Sequence, residues 1–556
     1  MARSSINFRV TIVNSLYTAK DGRNFDSHAV VEKWIKRSKL SSHKYGIPST
    51  EELYQLIDNG EAFNISNCYL KDFSISHYRK QRSLADGALV NLNSVNAEDA
   101  FFESETGTDF SNTKFVGLGA NFGKSIFNLG KINFEHSICE KALDFSNSSF
   151  FAEELNFRFS EFDHGDVNFS NCFIDCLDLI FVNTNFGEGN VYFRHCDFQD
   201  TNCNFQYAQF SDGNVVFDRS YFYAENIDFR KIEFGIGKFD FRRVHFGDGN
   251  INFSDSIFIQ AKISFRSSFF GTGEKMFEKV DFGKGNVSFD GSSFGTGLLS
   301  FKASKFNSIS FVNTRLDGHC DFKVSEGNLL DLSHSIFKDI LDFQAGEKIV
   351  DIKRLRLIGV KNMGKIFISW KKNNTFNLID SQKNSSYEAK AEQFNLLKES
   401  FRANGKYESE DLAYVAFKRN ELRAKLVNSK KESGLQVISG YFNYLSQSLI
   451  FDRVGLFATS PIRVFFSMIV VLTSFAIIYM ILPSFTSAEV VSSVGDPDKL
   501  SIIERSFYHS AITFFTIGYG DFYPSGHVRW LSAVEGWAGV FLMSYFTVAF
   551  VRKILR

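Results

Sequence analysis

The sequence has few prolines, no CxxC pair and almost no net charge. Lys and Arg total 62 while Asp and Glu total 63, so the net charge of −1 implies no general attraction for nucleic acid. The 7 cysteines are scattered without CxxC spacing, which argues against a zinc site. The N-terminus has no apolar stretch followed by a cleavage site, so a secretory signal is not expected.

Phenylalanine is the residue in excess. The chain has 66 phenylalanines against 5 prolines, which indicates an internal repeat. From Phe145 to Phe306 they follow alternating steps of 5 and 7 residues, a period of 12. These steps define 28 positions, of which Phe occupies 27 and Ile174 the other. The same pattern runs from Phe110 to Cys139 and slips by one residue before Phe145.

The residue two positions before each phenylalanine follows a second rule. Where a 7-residue step ends, this residue is mostly large and apolar: Val215, Ile227, Phe239, Ile251, Ile263, Val287 and Leu299. Where a 5-residue step ends, it is often Ser: Ser220, Ser256, Ser268, Ser292 and Ser304. Residues i and i−2 of a strand share a face. Each unit is therefore predicted to be a short strand with two inward side chains, followed by a corner.

The cysteines and glycines fit this repeat. Cysteines at inward positions are Cys172, Cys196, Cys203 and Cys320, with Cys139 at a phenylalanine position, so we expect buried, reduced thiols. The 7-residue step often carries Gly-x-Gly-Asn, as at 247–250, and Gly and Asn tolerate the positive φ of a tight corner. One 12-residue unit leaves little room for phenyl rings, so a coil of about 24 residues is predicted, with coils roughly 4.8 Å apart.

The 5-residue step resembles the pentapeptide-repeat family, four-sided β-helices with Leu or Phe inside each face. The resemblance implies a right-handed quadrilateral-type β-solenoid over residues 61–345, with alternate faces lengthened to seven residues. Calcium binding is disfavoured because glycine-rich calcium rolls have period nine and regular aspartates. Mimicry of DNA, known in members that bind topoisomerases, is disfavoured because basic residues accompany the acidic ones: Arg242, Arg243, Lys262 and Arg266.

The segments flanking the repeat are predicted to cap it. Residues 1–60 are predicted to form a helical cap, with one helix starting near Ser27 and another capped by Ser49 and ended by Gly60. Residues 346–380 are predicted to close the far end with strands in KIVDIKRLRLIG, GKIFISWKK and TFNLID.

Residues 381–450 change to a helical period. SSYEAKAEQFNLLKESFRANG and SEDLAYVAFKRNELRAKL each open with a serine and carry apolar residues at 3–4 spacing, which predicts a helical hairpin turning at RANG. This hairpin is either a plain linker or a site for a ligand or partner. The aromatic, amphipathic segment from Ser439 is expected to lie along a membrane surface.

Residues 451–556 contain two apolar stretches long enough to span a bilayer. Residues 464–482 carry no charge and reach about 28 Å as a helix, and residues 531–551 carry only Glu535. Arg463 precedes the first stretch, and basic residues follow the second: Arg552, Lys553 and Arg556. By the positive-inside rule, both termini are expected in the cytoplasm.

Between these stretches lies TFFTIGYGDFYP, residues 513–524. The preceding ERSFYHSAITFF, from Glu504, predicts a short helix that dips into the membrane, after which TIGYG returns as extended backbone. Non-helical backbone at membrane depth is tolerated where it lines a cavity. Four such strands around an axis would form rings of carbonyl oxygens that replace the water around a potassium ion.

The order of helix, pore helix, Thr-Ile-Gly-Tyr-Gly-Asp and second helix, over residues 461–556, resembles the bacterial two-transmembrane potassium channels. The resemblance implies that K⁺ is coordinated by the Thr516 hydroxyl and by four carbonyls, those of Thr516, Ile517, Gly518 and Tyr519. It further implies that Gly518 and Gly520 supply unusual backbone angles, that the Tyr519 side chain braces the filter, and that Asp521 lies at the outer mouth.

The support of this filter departs from the pattern of some family members. Ile512 stands where they have a glutamate that pairs with the filter aspartate, and Tyr508 stands where others have a tryptophan. A hydrogen bond between Tyr508 and Asp521 is therefore predicted.

The second span has its own candidates. Gly539 is a candidate hinge, although it and Gly536 are equally suited to close packing. Glu535 is either functional or simply solvated or bonded to the pore helix near the outer boundary. Phe546 and Phe550 would form a hydrophobic gate or pack against lipid.

The sequence thus predicts a multidomain, homotetrameric potassium channel with two transmembrane helices in the cell membrane: a β-solenoid, an α-helical linker and an all-α pore domain with a re-entrant helix. No enzyme motif and no cofactor other than permeant K⁺ is expected. Because few residues follow the second span, gating is expected through the N-terminal side, by an unknown cytosolic ligand or protein on the solenoid or linker. The alternatives are a membrane-anchored scaffold whose solenoid binds a partner, and a weakly selective cation channel.

Overall fold

The computed structural model describes residues 6–344, 351–431, 434–495 and 500–555. The chain separates into two compact units, Met1–Gln382 and Lys383–Arg556. The first unit is a parallel β-solenoid with a phenylalanine core, and the second is helical.

Short parallel strands build the solenoid on four faces, and each residue pairs with one in the next coil. Val167, Val191 and Val215 are in register at 24-residue intervals, so the predicted 24-residue coil of two repeat units is confirmed. At the predicted slip, Ala120 pairs with Leu143, an interval one residue shorter.

The strands of the four faces are as follows. The first face contains Tyr69–Lys71, Phe101–Glu103, Ile126–Asn128, Ser149–Phe151, Phe173–Asp175, Asp197–Phe198, Tyr221–Phe222, His245–Phe246, Phe269–Phe270, Ser293–Phe294, Arg315–Leu316, Ile336–Phe337 and Lys361–Asn362. The second contains Thr108–Asp109, Lys131–Asn133, Glu154–Asn156, Asp178–Ile180, Asn202–Asn204, Asn226–Asp228, Asn250–Asn252, Lys275–Met276, Leu299–Ser300, Cys320–Asp321, Ile340–Asp342 and Lys365–Phe367. The third contains Ile138–Cys139, Glu161–Phe162, Gln209–Phe210, Glu233–Phe234 and Ile257–Phe258. The fourth contains Ala62–Asn64, Val90–Asn96, Thr113–Asn121, Leu143–Asp144, Val167–Asn168, Val191–Tyr192, Val215–Val216, Lys238–Asp240, Lys262–Ser264, Asn286–Ser288, Lys305–Ser310, Glu326–Asp331 and Ile352–Arg356.

The phenylalanine rings stack along the solenoid axis. Phe169, Phe193 and Phe217 lie one above another, with centroids 4.9 and 4.8 Å apart and ring planes within 8°. Neighbouring stacks meet edge-on, as for Phe181 against Phe193 at 78°. This combination of offset stacking and edge contacts is the arrangement that aromatic quadrupoles favour, and it fills most of the interior with apolar rings.

The small inward residues satisfy backbone groups inside this apolar core. Ser256 Oγ donates to Phe229 O at 2.8 Å, and Cys172 Sγ donates to Phe145 O at 3.0 Å from an equivalent position. All 7 cysteines are buried and none is in a disulfide, as predicted. Burial raises the pKa of the Cys196 thiol to about 12, so it stays protonated and unreactive.

The prediction for the Gly-x-Gly-Asn glycines is confirmed at the first glycine, as at Gly187 and Gly283 with φ of 56° and 57°, but the second glycine serves a different purpose. Gly189, Gly237 and Gly249 lack positive φ, but a Cβ on each would lie 1.9 to 2.1 Å from a carbonyl oxygen of the coil before it. Their role is close approach between coils rather than a left-handed corner. Left-handed positions also recur in the 5-residue step, where they are mostly not glycine, as at Asn171 and His195.

The asparagine of this motif bonds between coils. Asn214 donates both its backbone N–H and its side-chain Nδ2–H to Asn190 Oδ1, at 3.0 and 2.8 Å. Such a ladder stabilises each corner against its neighbour.

The N-terminal region is a small sheet rather than a helical cap. The helix predicted near Ser27 is wrong, because His28–Ile35 is the central strand between Ile6–Val13 and Ser38–Gly46, and a hairpin of Tyr17–Thr18 and Asn24–Phe25 lies beside it. Ala29 and Val31, two residues apart, are both buried, which is the period of a strand. The second predicted helix is present as Thr50–Asp58, with Ser49 as its N-cap. A further helix spans Ile75–Gln81.

At the other end, two of the three strand predictions are confirmed, although residues 348–350 lie outside the described part of the chain. TFNLID is a helix, Thr375–Asp380, and not a strand. It buries Thr375, Leu378 and Ile379, spaced three and four residues apart, which is helical periodicity in a stretch too short to reveal it.

Lys275 is the exception in the core, a fully buried lysine at an inward position. Its ammonium donates to Gly271 O, and burial lowers its pKa to about 8, while nearby Cys320 and Asp248 act in the opposite direction. The unfolded chain keeps this proton up to about pH 10.5, so solenoid stability should rise with pH between 8 and 10.5, with the full penalty below pH 8. Lys275→Met should therefore raise the unfolding free energy at pH 7 by about 3 kcal/mol and flatten this pH dependence.

Denaturant unfolding of residues 1–382, followed by circular dichroism at several pH values, measures this effect. Lys279→Met changes an exposed lysine of the same coil and is the control. Equal stabilities of the two variants would contradict the prediction.

The second unit consists mainly of helices. They span Tyr387–Ala403, Tyr407–Ser429, Leu435–Ser446, Pro461–Ile481, Ile502–Phe514 and Val528–Ile554, with a π-helical turn at Gln447–Arg453 and a 3-10 turn at Leu482–Ser484. The outer segment adds a two-stranded antiparallel sheet, Val490–Ser492 with Phe522–Pro524.

The first two helices form the predicted hairpin. Ser386 caps the first helix, whereas the predicted serine cap of the second is wrong, since that helix begins at Tyr407 and Ser409 lies inside it. Gly405, with φ of 67°, reverses the chain so tightly that the second helix starts at once.

Candidate functional site: the pore segment

Two helices of the second unit are long and apolar enough to cross a membrane, Pro461–Ser484 and Val528–Ile554. Only 22% and 28% of their apolar windows are buried, so these are not core helices of a globular unit. The short helix Ile502–Phe514 packs against both. The chain therefore contains the predicted order of long helix, short helix and long helix.

The TIGYG segment follows the short helix directly as exposed, non-helical backbone. Thr516, Gly518 and Gly520 have φ of 56°, 66° and 77°, whereas Ile517 and Tyr519 between them lack positive φ. An extended segment whose φ alternates in sign suits a filter built from backbone carbonyls. Gly518 and Gly520 are the residues that adopt such angles without strain.

The start of the segment is held by the last turn of the short helix. Ile517 N–H donates to Ile512 O at 2.8 Å, and Thr516 N–H donates to Thr513 O at 3.1 Å. The Thr516 hydroxyl donates to Phe515 O at 2.7 Å. The C-terminal end of the helix, which carries partial negative charge, is thus placed directly behind the segment.

The predicted bond behind the segment is present. Tyr508 Oη donates to Asp521 Oδ2 at 2.8 Å, and the Tyr508 ring packs edge-on against Phe522. Ser493 N–H donates to Asp521 O at 2.8 Å from the outer loop. Ile512 is buried at the position where some members of the family that the sequence resembles have a glutamate. Tyr508 therefore contacts Asp521 with a hydroxyl in place of that pair.

Tyr508→Phe should loosen this restraint. The ring packing is retained while the Tyr508 hydroxyl bonded to Asp521 Oδ2 is lost, so in the potassium channel proposed below we expect severalfold faster entry into a non-conducting state under sustained K⁺ flux. Single-channel recording in planar bilayers measures this rate. Tyr523→Phe, a nearby exposed tyrosine, is the control. Unchanged rates in Tyr508→Phe would contradict the supporting role.

Glu535 is fully buried and joins three helices. Its carboxylate accepts hydrogen bonds from Ser510 Oγ on the short helix and, at 2.7 Å, from Tyr479 Oη on the first long helix. Ser532 Oγ links this pair to the short helix, lying 3.1 Å from Tyr479 Oη and 3.0 Å from His509 Nε2. Glu535 is therefore bonded to the pore helix and is not solvated.

The sequence reasoning missed these partners. The available signal was the set of polar residues within apolar segments, since a buried carboxylate requires donors. Tyr479 and Ser532 lie inside the two spans and meet that description.

The remaining candidates lie on the second long helix. A Cβ on Gly539 would lie 2.0 Å from Phe514 O, so this glycine permits close packing against the short helix; Gly536 has open space by comparison. Phe546 packs toward the first long helix, with its ring 6.4 Å from Phe465. Phe550 stacks on Phe546 and is exposed. Of the two predicted gate residues, only Phe550 has an exposed side chain in the single chain.

The inner end of the second long helix contacts the hairpin, which the sequence did not predict. Arg552 Nη2 and Lys553 Nζ donate to the two oxygens of Asp411 at 3.1 and 3.0 Å. Tyr545 Oη donates to Phe451 O at 2.9 Å and accepts from Ala458 N–H at 2.8 Å. The helix that follows the pore segment is thus bonded to residues that precede the first span.

Comparison with known proteins agrees with this geometry. Residues 466–556 match the family model described as "Ion channel". The chain therefore contains a C-terminal ion-channel domain with two membrane-spanning candidates, joined to a parallel β-solenoid.

Two curated relatives match a part of the chain. Protein LctB of Bacillus caldotenax is 40% identical over 70 residues, and protein LctB of Geobacillus stearothermophilus is 40% identical over 73 residues. Each match covers 12% of this chain and 52% of the relative, so the chain spans about half the length of the curated relatives it matches. No solved structure matches the chain.

Proposed function

We propose that this protein is a homotetrameric, potassium-selective channel of the cell membrane. The observation that carries the proposal is the Thr516–Gly520 segment, whose alternating φ presents backbone carbonyls at the end of a short helix between two spanning helices. Potassium would be coordinated by the Thr516 hydroxyl and the carbonyls of Thr516, Ile517, Gly518 and Tyr519. Such carbonyls replace the hydration shell of a permeating ion.

Exposure of this segment supports assembly from several chains. Tyr519 is 73% exposed and Ile517 50% exposed, although both follow a well-packed helix. One chain supplies one strand of carbonyls, whereas a cage around an ion needs rings of them. Four copies around an axis would bury these side chains and complete the rings.

Reconstitution tests the proposal. Purified protein in phosphatidylcholine vesicles should carry K⁺ far faster than Na⁺ and give a reversal potential that follows the K⁺ gradient. Equal K⁺ and Na⁺ flux would favour a weakly selective cation channel. Absence of flux from an assembled tetramer would favour the membrane-anchored scaffold.

In this proposal, the positions of the basic residues give the orientation of the two long helices across the membrane. Arg463, Arg552 and Lys553 lie at the ends of the two long helices that face away from the TIGYG segment, and by the positive-inside rule these ends are cytoplasmic. The solenoid and both termini would then be cytoplasmic as well.

The helix Leu435–Ser446 and its π-helical extension are proposed to lie on the membrane surface. No residue of this stretch is buried, and its apolar residues recur at helical spacing: Leu435, Ile438, Phe442, Leu445 and Leu449. A continuous apolar stripe on an exposed helix fits the interface between lipid and water.

Removing residues 1–382 should change open probability while leaving selectivity unchanged. These residues form a separate compact unit, whereas the filter and its support lie wholly in the other. Paired measurements of open probability and reversal potential in planar bilayers test this, with the full chain as reference. A changed K⁺/Na⁺ permeability ratio would contradict the division of roles.

A further inference from the structure

A cavity of about 510 Å³ lies between the helical hairpin and the inner end of the second long helix. Cationic side chains from both elements line it, namely Lys398 and Arg402 from the hairpin and Arg552 from the long helix. Its volume is in the range of small-molecule sites, roughly 300–1,000 Å³. A molecule bound here would contact the hairpin and the channel helix at once.

Arg552 is already oriented for binding. Its guanidinium lies 4.4 Å from the centroid of the Tyr414 ring, and Nη2 donates to Asp411. Nε is buried and has no hydrogen-bond partner among the described residues. A buried N–H without a partner is costly, and a bound ligand or water at that point would satisfy it.

Lys398 and Arg402 are four residues apart, so they project from one face of the first hairpin helix. The Lys398 ammonium lies about 6 Å from the rings of Tyr414 and Phe417, and its ion-pair partner is the exposed Glu399. Arg402 is exposed and forms no ion pair within the part of the chain that the structure describes. The Arg402 guanidinium is therefore available to a ligand, and the Lys398 ammonium can bind the same ligand by leaving Glu399.

The charge balance around the cavity is positive. Three cations line it together with one carboxylate, that of Glu410. Asp411, which pairs with Arg552, is shared with Lys553 and so cannot neutralise Arg552 alone. Two guanidinium groups and an ammonium match the geometry and charge of phosphate oxygens better than those of any neutral group.

We propose that this cavity binds a phosphate-bearing anion. Two sources share this chemistry, the headgroup of an anionic lipid and a free phosphate compound. The end of a membrane-spanning helix lies within reach of lipid headgroups, and basic pockets at this depth suit them. A bound phosphate would draw Arg552 from Asp411 and so change the contact between the hairpin and the helix. That consequence for channel opening rests on the proposed function.

Binding is tested first without any flux measurement. Full-length protein in detergent is titrated with inorganic pyrophosphate by calorimetry, and separately the phosphatidylglycerol and phosphatidylcholine retained from mixed lipid are counted by mass spectrometry. The variant Lys398→Gln/Arg402→Gln leaves Asp411, Arg552 and Tyr414 intact. Lys425→Gln, an exposed lysine near the other end of the second hairpin helix, is the matched control.

Loss of two charged contacts should weaken binding at least about tenfold in the double variant and not in the control. Pyrophosphate binding with this pattern supports a free phosphate ligand. Selective retention of phosphatidylglycerol with this pattern, without pyrophosphate binding, supports a lipid headgroup. Absence of both, or equal weakening in Lys425→Gln, overturns the site.

The channel consequence is measured separately, as K⁺ flux from vesicles with and without the ligand that binds. A ligand that binds as expected in a protein without K⁺ flux would contradict the proposed function and leave the site standing. K⁺ flux in a protein that binds neither pyrophosphate nor phosphatidylglycerol would contradict the binding site and leave the proposed function standing. Size-exclusion chromatography of each variant confirms that it is folded and assembled.

Discussion

Gly518→Ala is expected to abolish potassium-selective flux while leaving the protein assembled. Gly518 has φ of 66° and no atom within 4 Å of the position of an added Cβ, so the substitution strains the backbone without a clash. A left-handed non-glycine residue costs at least about 1 kcal/mol, or about 4 kcal/mol over four chains. Relief of this strain would rotate the carbonyls of the segment away from the axis, which reduces the conducting population about a thousandfold.

A matched control separates backbone strain from filter geometry. Gly495, in the outer loop, has φ of 83° and equally open surroundings, so Gly495→Ala imposes similar strain outside the segment. Flux of K⁺ and Na⁺ from reconstituted vesicles is measured for both variants after chromatography confirms equal assembly. Selective K⁺ flux in Gly518→Ala at the level of Gly495→Ala would refute the assignment of the filter.

Glu535→Ala should disrupt assembly and flux together, and Glu535→Gln should restore most of both. Alanine leaves a cavity and removes the acceptor shared by the hydroxyls of Ser510 and Tyr479, which costs up to about 1–3 kcal/mol for each group. Leu472 O and Ser532 Oγ, at 2.9 and 3.1 Å, offset part of this cost as second partners. Glutamine keeps the volume of the side chain. Its carbonyl oxygen can accept a hydrogen bond from one hydroxyl, and its amide N–H can donate a hydrogen bond to the oxygen of the other. The expected outcome is a short helix held correctly in Glu535→Gln and displaced in Glu535→Ala.

The two readouts distinguish positioning of the pore helix from a general need for a charge at this position. Tetramer yield and K⁺ flux are compared in both variants, with Val534→Ala, at the exposed neighbouring position, as control. Failure of Glu535→Gln would show that the charge itself is required. Normal assembly and flux in Glu535→Ala would show that the hydrogen bonds do not position the helix.

Much of the fold was predictable from periodic patterns. The alternating steps of 5 and 7 residues indicated a coil of 24, and the structure pairs Val167, Val191 and Val215 at that interval. Equivalent positions of successive coils have the same environment, so the residue type at one inward position predicts the side-chain direction at all the others. The order of helices around TIGYG was likewise predictable, because apolar length and helix signals are local.

The wrong predictions share a cause. His28–Ile35 alternates as a strand between two partners, and Thr375–Asp380 buries a helical face, but each stretch is too short for its period to be decisive alone. The Gly-x-Gly glycines were correctly associated with corners, yet the second glycine is required by a carbonyl 24 residues away, as between Gly189 and Gly165. In each case the deciding neighbour is distant in the sequence.

The sequence by itself determined the coil length, the two spans and the order of the pore elements, since each depends on a local period or on the length of an apolar run. Only the tertiary structure decided what holds the pore segment and its helix. Ser510 and Glu535 are 25 residues apart, and Asp411 and Arg552 are 141 apart. Partners at such separations are chosen by the packing of whole helices, which no local pattern contains.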